Sequence, residues 1–117
     1  MMNELKFRAW WAEAEEYVKV SGIDFTNEEI HYIEEYRNKT YSIDEIPFEE
    51  VIIEQYTGLK DKNGKEIYVG DIIEITFIWD IKEKWDVTSA FNFGQWTWDN
   101  ISTVEVIGNI HENKGLL

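Results

Sequence analysis

The chain has 117 residues, the size of one domain or two small lobes, and it contains no cysteine. It therefore has no disulfide framework and no thiolate metal site or nucleophile, which is typical of proteins from a reducing cytoplasm. The formal net charge of -13 argues against partners such as duplex nucleic acid or an anionic membrane surface, because both would repel the chain at long range.

The first residues lack the pattern of a signal peptide, and no apolar run approaches the roughly 18 residues of a transmembrane segment. We therefore expect a cytoplasmic protein that does not bind a membrane. The negative charge is concentrated in residues 1–54, which carry 14 acids and 5 bases. This acidic half is expected to be one lobe, and residues 55–117 the other.

The start of the chain favours a strand, a turn and a second strand. Residues 6–10 alternate polar and apolar side chains, and residues 17–20 are strand-type residues. Residues 12–16 between them have good helix propensity, so a single helical turn is the alternative there. An isolated helix this short would be marginal in water.

Residues 26–37 have two interpretations that local pattern does not separate. Thr26 to Glu29 fit a capping box, and the apolar residues that follow keep helical spacing. A hairpin fits equally well, with residues 23–25 in one strand and 30–36 in the other. Residues 41–46 and 51–56 then read as further strands, interrupted at Pro47. The amino-terminal lobe is expected to be rich in β-structure.

The second half contains clear period-two alternation, which predicts several short strands. The alternating apolar positions are Ile73, Ile75, Phe77, Trp79, Phe91, Phe93, Trp96, Trp98, Val104 and Val106. Several short strands with turn signals between them indicate a small antiparallel barrel over residues 55–117.

The segment QYTGLKDKNGKEIYVGD, residues 55–71, carries the strongest turn signals. Asn63 and Gly64 tolerate the positive φ angles of a type I′ turn, so they predict a two-residue hairpin. Gly70 can turn the backbone sharply, and Asp71 is predicted to accept backbone N–H groups at the start of the next strand. The flanking lysines lack the glycine-rich cradle of a phosphate site. We therefore predict a structural role for the turn residues Asn63, Gly64, Gly70 and Asp71.

No pattern predicts a catalytic, cofactor-binding or metal-binding residue. His31 and His111 are the only histidines, and no short ligand spacing relates them. Adjacent acids such as Glu34 and Glu35 would point to opposite faces of a strand, which does not suit paired-carboxylate catalysis. No serine stands in a nucleophile elbow. We therefore expect a protein that is not an enzyme.

Large aromatic side chains are the remaining functional candidates. Strand alternation sends every second side chain outward, so the tryptophans of residues 77–98 are not all expected in one core. The predicted partner-binding residues are Trp79, Trp85, Trp96 and Trp98. Trp85 lies in a polar stretch and is the one most expected to be exposed. The partner is an unidentified protein or a second copy of the chain.

Three segments resemble a known family. Residues 55–73, read with the terminal VEVIGNIHENKGLL and the early KFRAW, are similar to the YopX family of bacteriophage and prophage proteins. The resemblance implies an SH3-like barrel for residues 55–117 and a β-rich lobe for residues 1–54, and it favours the hairpin over the helix near residue 30. It implies no catalytic residue.

The expected function is therefore a non-catalytic phage or prophage accessory protein that acts as a protein-interaction module. The alternative is an acidic decoy that occupies the nucleic-acid site of a host or phage protein. A decoy needs carboxylates spaced along one face, whereas an interaction module needs an apolar patch.

Overall fold

The computed structural model describes residues 4–88 and 99–117. These residues form nine β-strands and two 3₁₀ turns, Phe48–Glu50 and Lys114–Leu116, and contain no α-helix. The strands are β1 (Phe7–Trp11), β2 (Glu16–Asp24), β3 (Glu29–Tyr36), β4 (Lys39–Pro47), β5 (Val51–Lys60), β6 (Glu66–Tyr68), β7 (Asp71–Phe77), β8 (Lys82–Asp86) and β9 (Ile101–Asn109). The predicted mainly-β class is confirmed. Within the same ranges, no helical segment is long and apolar enough to cross a membrane.

The chain divides into two compact units, Lys6–Glu54 and Gln55–Leu117, the second of which also includes the segment before Lys6. The boundary falls inside β5. The strands form two antiparallel sheets, with the orders β4-β3-β2-β1-β5-β6 and β8-β7-β9. Where the chain is described, neither sheet closes on itself, so the barrel expected for residues 55–117 and its SH3-like detail are not confirmed. Alternation predicts that a segment is a strand, but it does not say which sheet the strand joins.

The amino-terminal unit is a meander of neighbouring antiparallel strands around one apolar cluster. Its buried residues are Ala9, Val18, Ile30, Tyr32 and Ile46, with Trp11, Val20, Ile23, Phe48, Val51 and Ile53 packed against them. The register places Ala9 opposite Val18 and Ile30 opposite both Ile23 and Ile46. Apolar side chains therefore meet on one face of the sheet, where each pair stabilises its neighbours.

The two ambiguous segments of this unit are turns and strands, not helices. Residues 12–15 form the turn between β1 and β2, closed by Glu15 at a φ of 53°. Residues 25–28 form the turn between β2 and β3, closed by Glu28 at a φ of 53°. The segment is a hairpin and not a helix, as its burial pattern shows. Ile30 and Tyr32 are buried while His31 between them is exposed, and this alternation with a period of two is that of a strand.

The carboxy-terminal unit has its own core. The buried residues are Ile67, Ile73, Ile75, Val87 and Val104, and Leu59, Val69, Phe77, Ile101 and Val106 pack against them. Ile73, Ile75 and Phe77, which were predicted to share one face of a strand, all pack into this core. The strand β7 nevertheless ends at Phe77, two residues before Trp79. The predicted last strand near Val104 and Val106 corresponds to β9. The expected strands at Phe91, Phe93, Trp96 and Trp98 lie outside the described residues.

Candidate functional site

The turn between β5 and β6 is longer than the predicted two-residue hairpin. Asp61 N donates to Lys65 O at 2.8 Å and Gly64 N donates to Asp61 O at 3.0 Å, so the loop spans residues 62–64. Gly64 has a φ of 81°, whereas Asn63 is not among the residues with positive φ. This is the pattern of a three-residue hairpin, in which a type I turn is followed by a left-handed residue. A type I′ turn would need positive φ at both Asn63 and Gly64.

Asp61 organises this turn, a role that the sequence analysis did not assign. Its Oδ1 accepts hydrogen bonds from the backbone N–H of Asn63 and of Lys65, each at 2.9 Å. Its Oδ2 accepts the N–H of Val106 on β9 at 2.9 Å. The side chain is buried. One carboxylate therefore shapes the β5–β6 loop and also ties it to β9.

The environment of Asp61 favours its ionised form. Burial by itself raises the pKa of the carboxyl, and it is the largest single influence. The N–H groups of Val106, Lys65 and Asn63, together with the charge of Lys65, act in the opposite direction and outweigh burial. The net result is a pKa below the usual value for aspartate. These contacts indicate a structural carboxylate, not a proton donor.

Gly70 and Asp71 form a second junction of the carboxy-terminal unit. Gly70 has a φ of 94°, donates its N–H to Val87 O and accepts the N–H of Ile110. Asp71 is buried, and its Oδ2 accepts the N–H of Tyr68 at 2.7 Å. The carboxylate of the first residue of β7 thus accepts a backbone N–H from the last residue of β6, across the turn that joins the two strands. These are the contacts that the predicted structural role of both residues would need, and that role stays a prediction.

The turn between β7 and β8 exposes a group of large apolar side chains. Ile78 is 64% exposed, Trp79 52% and Ile81 55%. We call these three residues the apolar tip. The indole of Trp79 stacks on Phe77, with ring centroids 5.1 Å apart and planes 2° from parallel. The stack holds the exposed indole in one orientation.

Two of the four predicted partner-binding tryptophans can be placed. Trp79 is in the apolar tip, and Trp85 on β8 is 39% exposed, which agrees with the exposure expected for it. Trp96 and Trp98 lie outside the described residues. Ile78 and Ile81 were missed because the sequence analysis extended β7 to Trp79, which hid the turn. The signal that was available is Asp80, a residue that tolerates left-handed backbone and here has a φ of 69°.

A second group of polar side chains meets at the open end of the β2–β3 hairpin. The register places Asp24 opposite Glu29, and His31 opposite Gly22. One carboxylate or imidazole ligand atom from each of Asp24, Glu29 and His31 lies within 4.8 Å of the others. His31 Nε2 is 3.8 Å from Glu29 Oε1. The sequence predicts no metal site, because its two histidines are 80 positions apart and have no short ligand spacing.

Asp24 in this group is held by the turn that follows it. Its Oδ1 accepts the N–H groups of Thr26 and Asn27, each at 3.0 Å, and its Oδ2 accepts Asn27 Nδ2 at 2.8 Å. The backbone hydrogen bond from Asn27 is the main reason that the pKa of Asp24 is lowered, and the nearby His31 adds to the effect. A cleft of about 590 Å³ opens beside Asp24 and His31. Asp24 and His31 therefore line this open cleft, and Glu29 lies beside them.

Comparison with known protein families matches residues 6–117 to the family described as YopX protein. The chain belongs to the YopX family. Among curated proteins nothing matches it. Among solved structures, it is similar to the crystal structure of protein EF1440 from Enterococcus faecalis, with 24% sequence identity and a TM-score of 0.63. The match covers 99% of each chain, and at this identity it shows a shared fold alone.

The KFRAW segment that suggested the YopX family contributes Arg8 to a partly buried ion pair. Arg8 Nε donates to Glu54 Oε1 at 2.9 Å, and Tyr17 O–H donates to the same oxygen at 2.9 Å. The Arg8 guanidinium also lies 4.0 Å from the centre of the Tyr17 ring. Arg8, Tyr17 and Glu54 come from three different strands, so the group fastens β1, β2 and β5 within the amino-terminal unit of this YopX protein.

Proposed function

We propose that this YopX-family chain is a non-catalytic protein-interaction module, which serves as a phage or prophage accessory protein in the cytoplasm of a host bacterium. We further propose that the apolar tip contacts the partner. The observation that carries the proposal is that Ile78, Trp79 and Ile81 sit in one turn, each more than half exposed. The phage setting is supported only by the resemblance to the family.

Three adjacent large apolar side chains are an unfavourable surface for a protein that stays alone in water. Each square ångström of apolar area removed from water contributes about 25 cal/mol, so a partner that covers the apolar tip gains stability. The stack of Trp79 on Phe77 lowers the entropic cost of binding, because the indole is already ordered. Tryptophan is also among the residues that most often dominate interface energies.

The charges around the apolar tip favour a partner with a basic surface. Asp80 lies within the turn, and Asp99 precedes Asn100, whose carbonyl oxygen accepts the N–H of Ile78 at 2.9 Å. Neither aspartate forms an ion pair within the described residues. The basic residue nearest in sequence, Lys82, is already 3.8 Å from Glu74. A second copy of the chain is disfavoured as the partner, because it would bring a further charge of -13.

The experiment compares the apolar tip with a matched isoleucine of the other unit. Ile81 is 55% exposed and Ile52 is 51% exposed. A photo-crosslinking amino acid is placed at either position, and each protein is irradiated in lysate of a bacterium that carries a related prophage. We expect a discrete adduct from position 81 and none from position 52. Unlabelled parent protein should compete for the adduct, whereas Trp79→Ala should not.

The same measurement contains the outcomes that would contradict the proposal. Adducts of equal yield at positions 81 and 52, or adducts that Trp79→Ala competes for as well as the parent does, would show that the apolar tip is not the contact surface. With a purified partner, Trp79→Ala should weaken binding by at least about 2 kcal/mol if the indole is an anchor. An adduct with a second copy of the chain would show that the apolar tip mediates self-association, and not binding to a partner with a basic surface.

The acidic decoy remains the second candidate, and the concentration of charge in the amino-terminal half favours it. Residues 1–54 carry 14 acids and 5 bases. A decoy would compete directly with duplex DNA for its partner, and it would lose affinity steeply as salt concentration rises. Competition by DNA, combined with no effect of Trp79→Ala, would favour the decoy over the interaction module.

A further inference from the structure

We propose that the open end of the β2–β3 hairpin binds a divalent first-row transition-metal ion through Asp24, Glu29 and His31. The sheet register brings the three residues together: Asp24 and Glu29 face each other across the hairpin, and His31 lies two residues further along β3. Residues two apart on a strand share a face, so Glu29 and His31 project to the same side.

The distances suit a shared ion. Ligand atoms bound to one zinc ion lie about 2.0–2.2 Å from it, and therefore roughly 3–4 Å from one another. His31 Nε2 and Glu29 Oε1 are 3.8 Å apart, and the whole set of three ligand atoms falls within 4.8 Å. Small rotations of side chains that are only partly buried would bring all three to bonding distance.

Asp24 presents one free lone pair in a fixed position. An ionised carboxylate has about four lone-pair sites. Thr26 N and Asn27 N occupy the two on Oδ1, and Asn27 Nδ2 occupies one on Oδ2. The remaining site on Oδ2 is the one left for a metal ion. Outer hydrogen bonds of this kind orient metal ligands and strengthen binding.

The cluster carries negative charge that no basic side chain offsets. Across residues 4–88 and 99–117, neither Asp24 nor Glu29 is paired with a lysine or arginine; the contact of Glu29 is with His31. By contrast, Glu35 pairs with Lys19 and Glu105 with Lys62. A divalent cation would neutralise the two carboxylates.

The donor set selects the class of ion. An imidazole nitrogen is a good ligand for Zn²⁺, Co²⁺ and Ni²⁺, whereas Mg²⁺ and Ca²⁺ prefer oxygen ligands alone. Three protein ligands leave a fourth tetrahedral position for water. The cleft of about 590 Å³, lined by residues that include Gly22, Phe25 and Thr26, supplies the room for that water and a path for the ion.

The test uses the full chain without an affinity tag, because a histidine tag would itself bind the metal. Zn²⁺ is titrated into the protein by calorimetry at neutral pH, with Mg²⁺ and Ca²⁺ in parallel. His31→Ala and Glu29→Gln remove one ligand each. His111→Ala is the matched control, since His111 is the only other histidine of the chain.

We expect one Zn²⁺ per chain in the parent and in His111→Ala. His31→Ala should weaken binding by at least about 10-fold, since even residues beyond the direct ligands cost 10–100-fold at metal sites. Co²⁺ should give visible absorption bands that His31→Ala abolishes, which provides a readout independent of heat. Circular dichroism of each variant checks that the fold is kept.

Any of the following results would overturn the metal site. One is the absence of saturable Zn²⁺ binding by the parent. Another is equal affinity in His31→Ala and His111→Ala. The third is equal affinity of the parent for Zn²⁺ and Ca²⁺, which would indicate general attraction of cations to an acidic surface. If His31→Ala fails to fold, Glu29→Gln decides the question, because unchanged Zn²⁺ affinity in that variant contradicts the proposal.

Discussion

Asp61 and Asp80 are both aspartates of hairpin turns, yet their positions give them opposite effects on stability. Asp61 is buried and its carboxylate accepts three backbone N–H groups. Asp80 is exposed and its backbone is left-handed, with a φ of 69°. The first residue stabilises the fold through its side chain, whereas the second adds conformational strain through its backbone.

Replacement of Asp61 by alanine should destabilise the protein strongly. Three N–H groups would lose a charged acceptor, so we expect a loss of about 2–4 kcal/mol in the free energy of unfolding. Urea denaturation measures it. Asp86→Ala, at an exposed position of β8, is the control and should cost little. Equal midpoints for the two variants would contradict the role assigned to Asp61.

The stability of the protein should fall in acid, in part through Asp61. Its pKa is lowered by folding, so the unfolded chain takes up the proton first as the pH decreases. The contribution is fully present above the unfolded pKa of about 3.9 and is lost as the pH falls through the lower folded value. Urea midpoints measured from pH 6 to pH 2 should show the difference between parent and Asp61→Asn shrinking below about pH 4. A difference that stays constant with pH would exclude this linkage.

At the scale of elements, two hairpins of the carboxy-terminal unit use the same three-residue loop. In the β5–β6 loop, Asp61 N donates to Lys65 O and Gly64 N to Asp61 O. In the β7–β8 loop, Phe77 N donates to Ile81 O and Asp80 N to Phe77 O, each at 2.9 Å. Gly64 and Asp80 therefore occupy equivalent positions with left-handed backbone. Glycine is the preferred residue there, and only the β5–β6 loop has it.

Single substitutions at these two equivalent positions should change the stability of the protein in opposite directions. Asp80→Gly should stabilise the protein by up to about 1 kcal/mol, because glycine adopts the left-handed conformation without strain. Gly64→Ala should destabilise it by about 1–2 kcal/mol. An added Cβ at Gly64 would meet nothing within 4 Å, so the cost there comes from the backbone alone. Thermal unfolding of both variants tests the pair, and shifts of the same sign would disprove the shared loop geometry.

The buried pair of Arg8 and Glu54 should matter far more than an exposed pair. Glu54→Gln removes the negative charge that faces Arg8 Nε at a poorly solvated position, so we expect a loss of about 3 kcal/mol. Glu35→Gln breaks the exposed pair with Lys19 and should cost about 0–1 kcal/mol. Urea unfolding of both variants measures the contrast. Similar losses in the two would mean that Glu54 does not fasten the three strands.

At the scale of the whole molecule, the net charge of -13 determines which partners approach. Duplex DNA should be repelled, since even non-specific binders, which use cationic surfaces, reach only about 10⁻⁴–10⁻⁶ M at physiological salt. We therefore expect no shift of duplex DNA in gels with micromolar purified protein. A salt-sensitive shift would contradict this expectation.

The sequence by itself determined the mainly-β class, the family and the positions of most strands. Ile73, Ile75 and Phe77 repeat with a period of two because all three pack into the core of the carboxy-terminal unit, and that pattern is local. Turn-forming residues such as Gly64 and Gly70 were equally visible, since their backbone preferences depend little on distant contacts. The segment that begins at Thr26 was ambiguous because its short polar side chains can form local hydrogen bonds either at the start of a helix or in a turn.

Only the tertiary structure decided how those strands pair and which side chains meet. Asp61 accepts a hydrogen bond from the N–H of Val106, 45 residues away, and no local sequence pattern predicts such a contact. Asp24, Glu29 and His31 converge because of the register between β2 and β3, and a slip of one residue would send His31 to the opposite face. Register and sheet membership arise from the burial of the whole core, which is why the described residues do not confirm the expected barrel and why the proposed metal site was not foreseen.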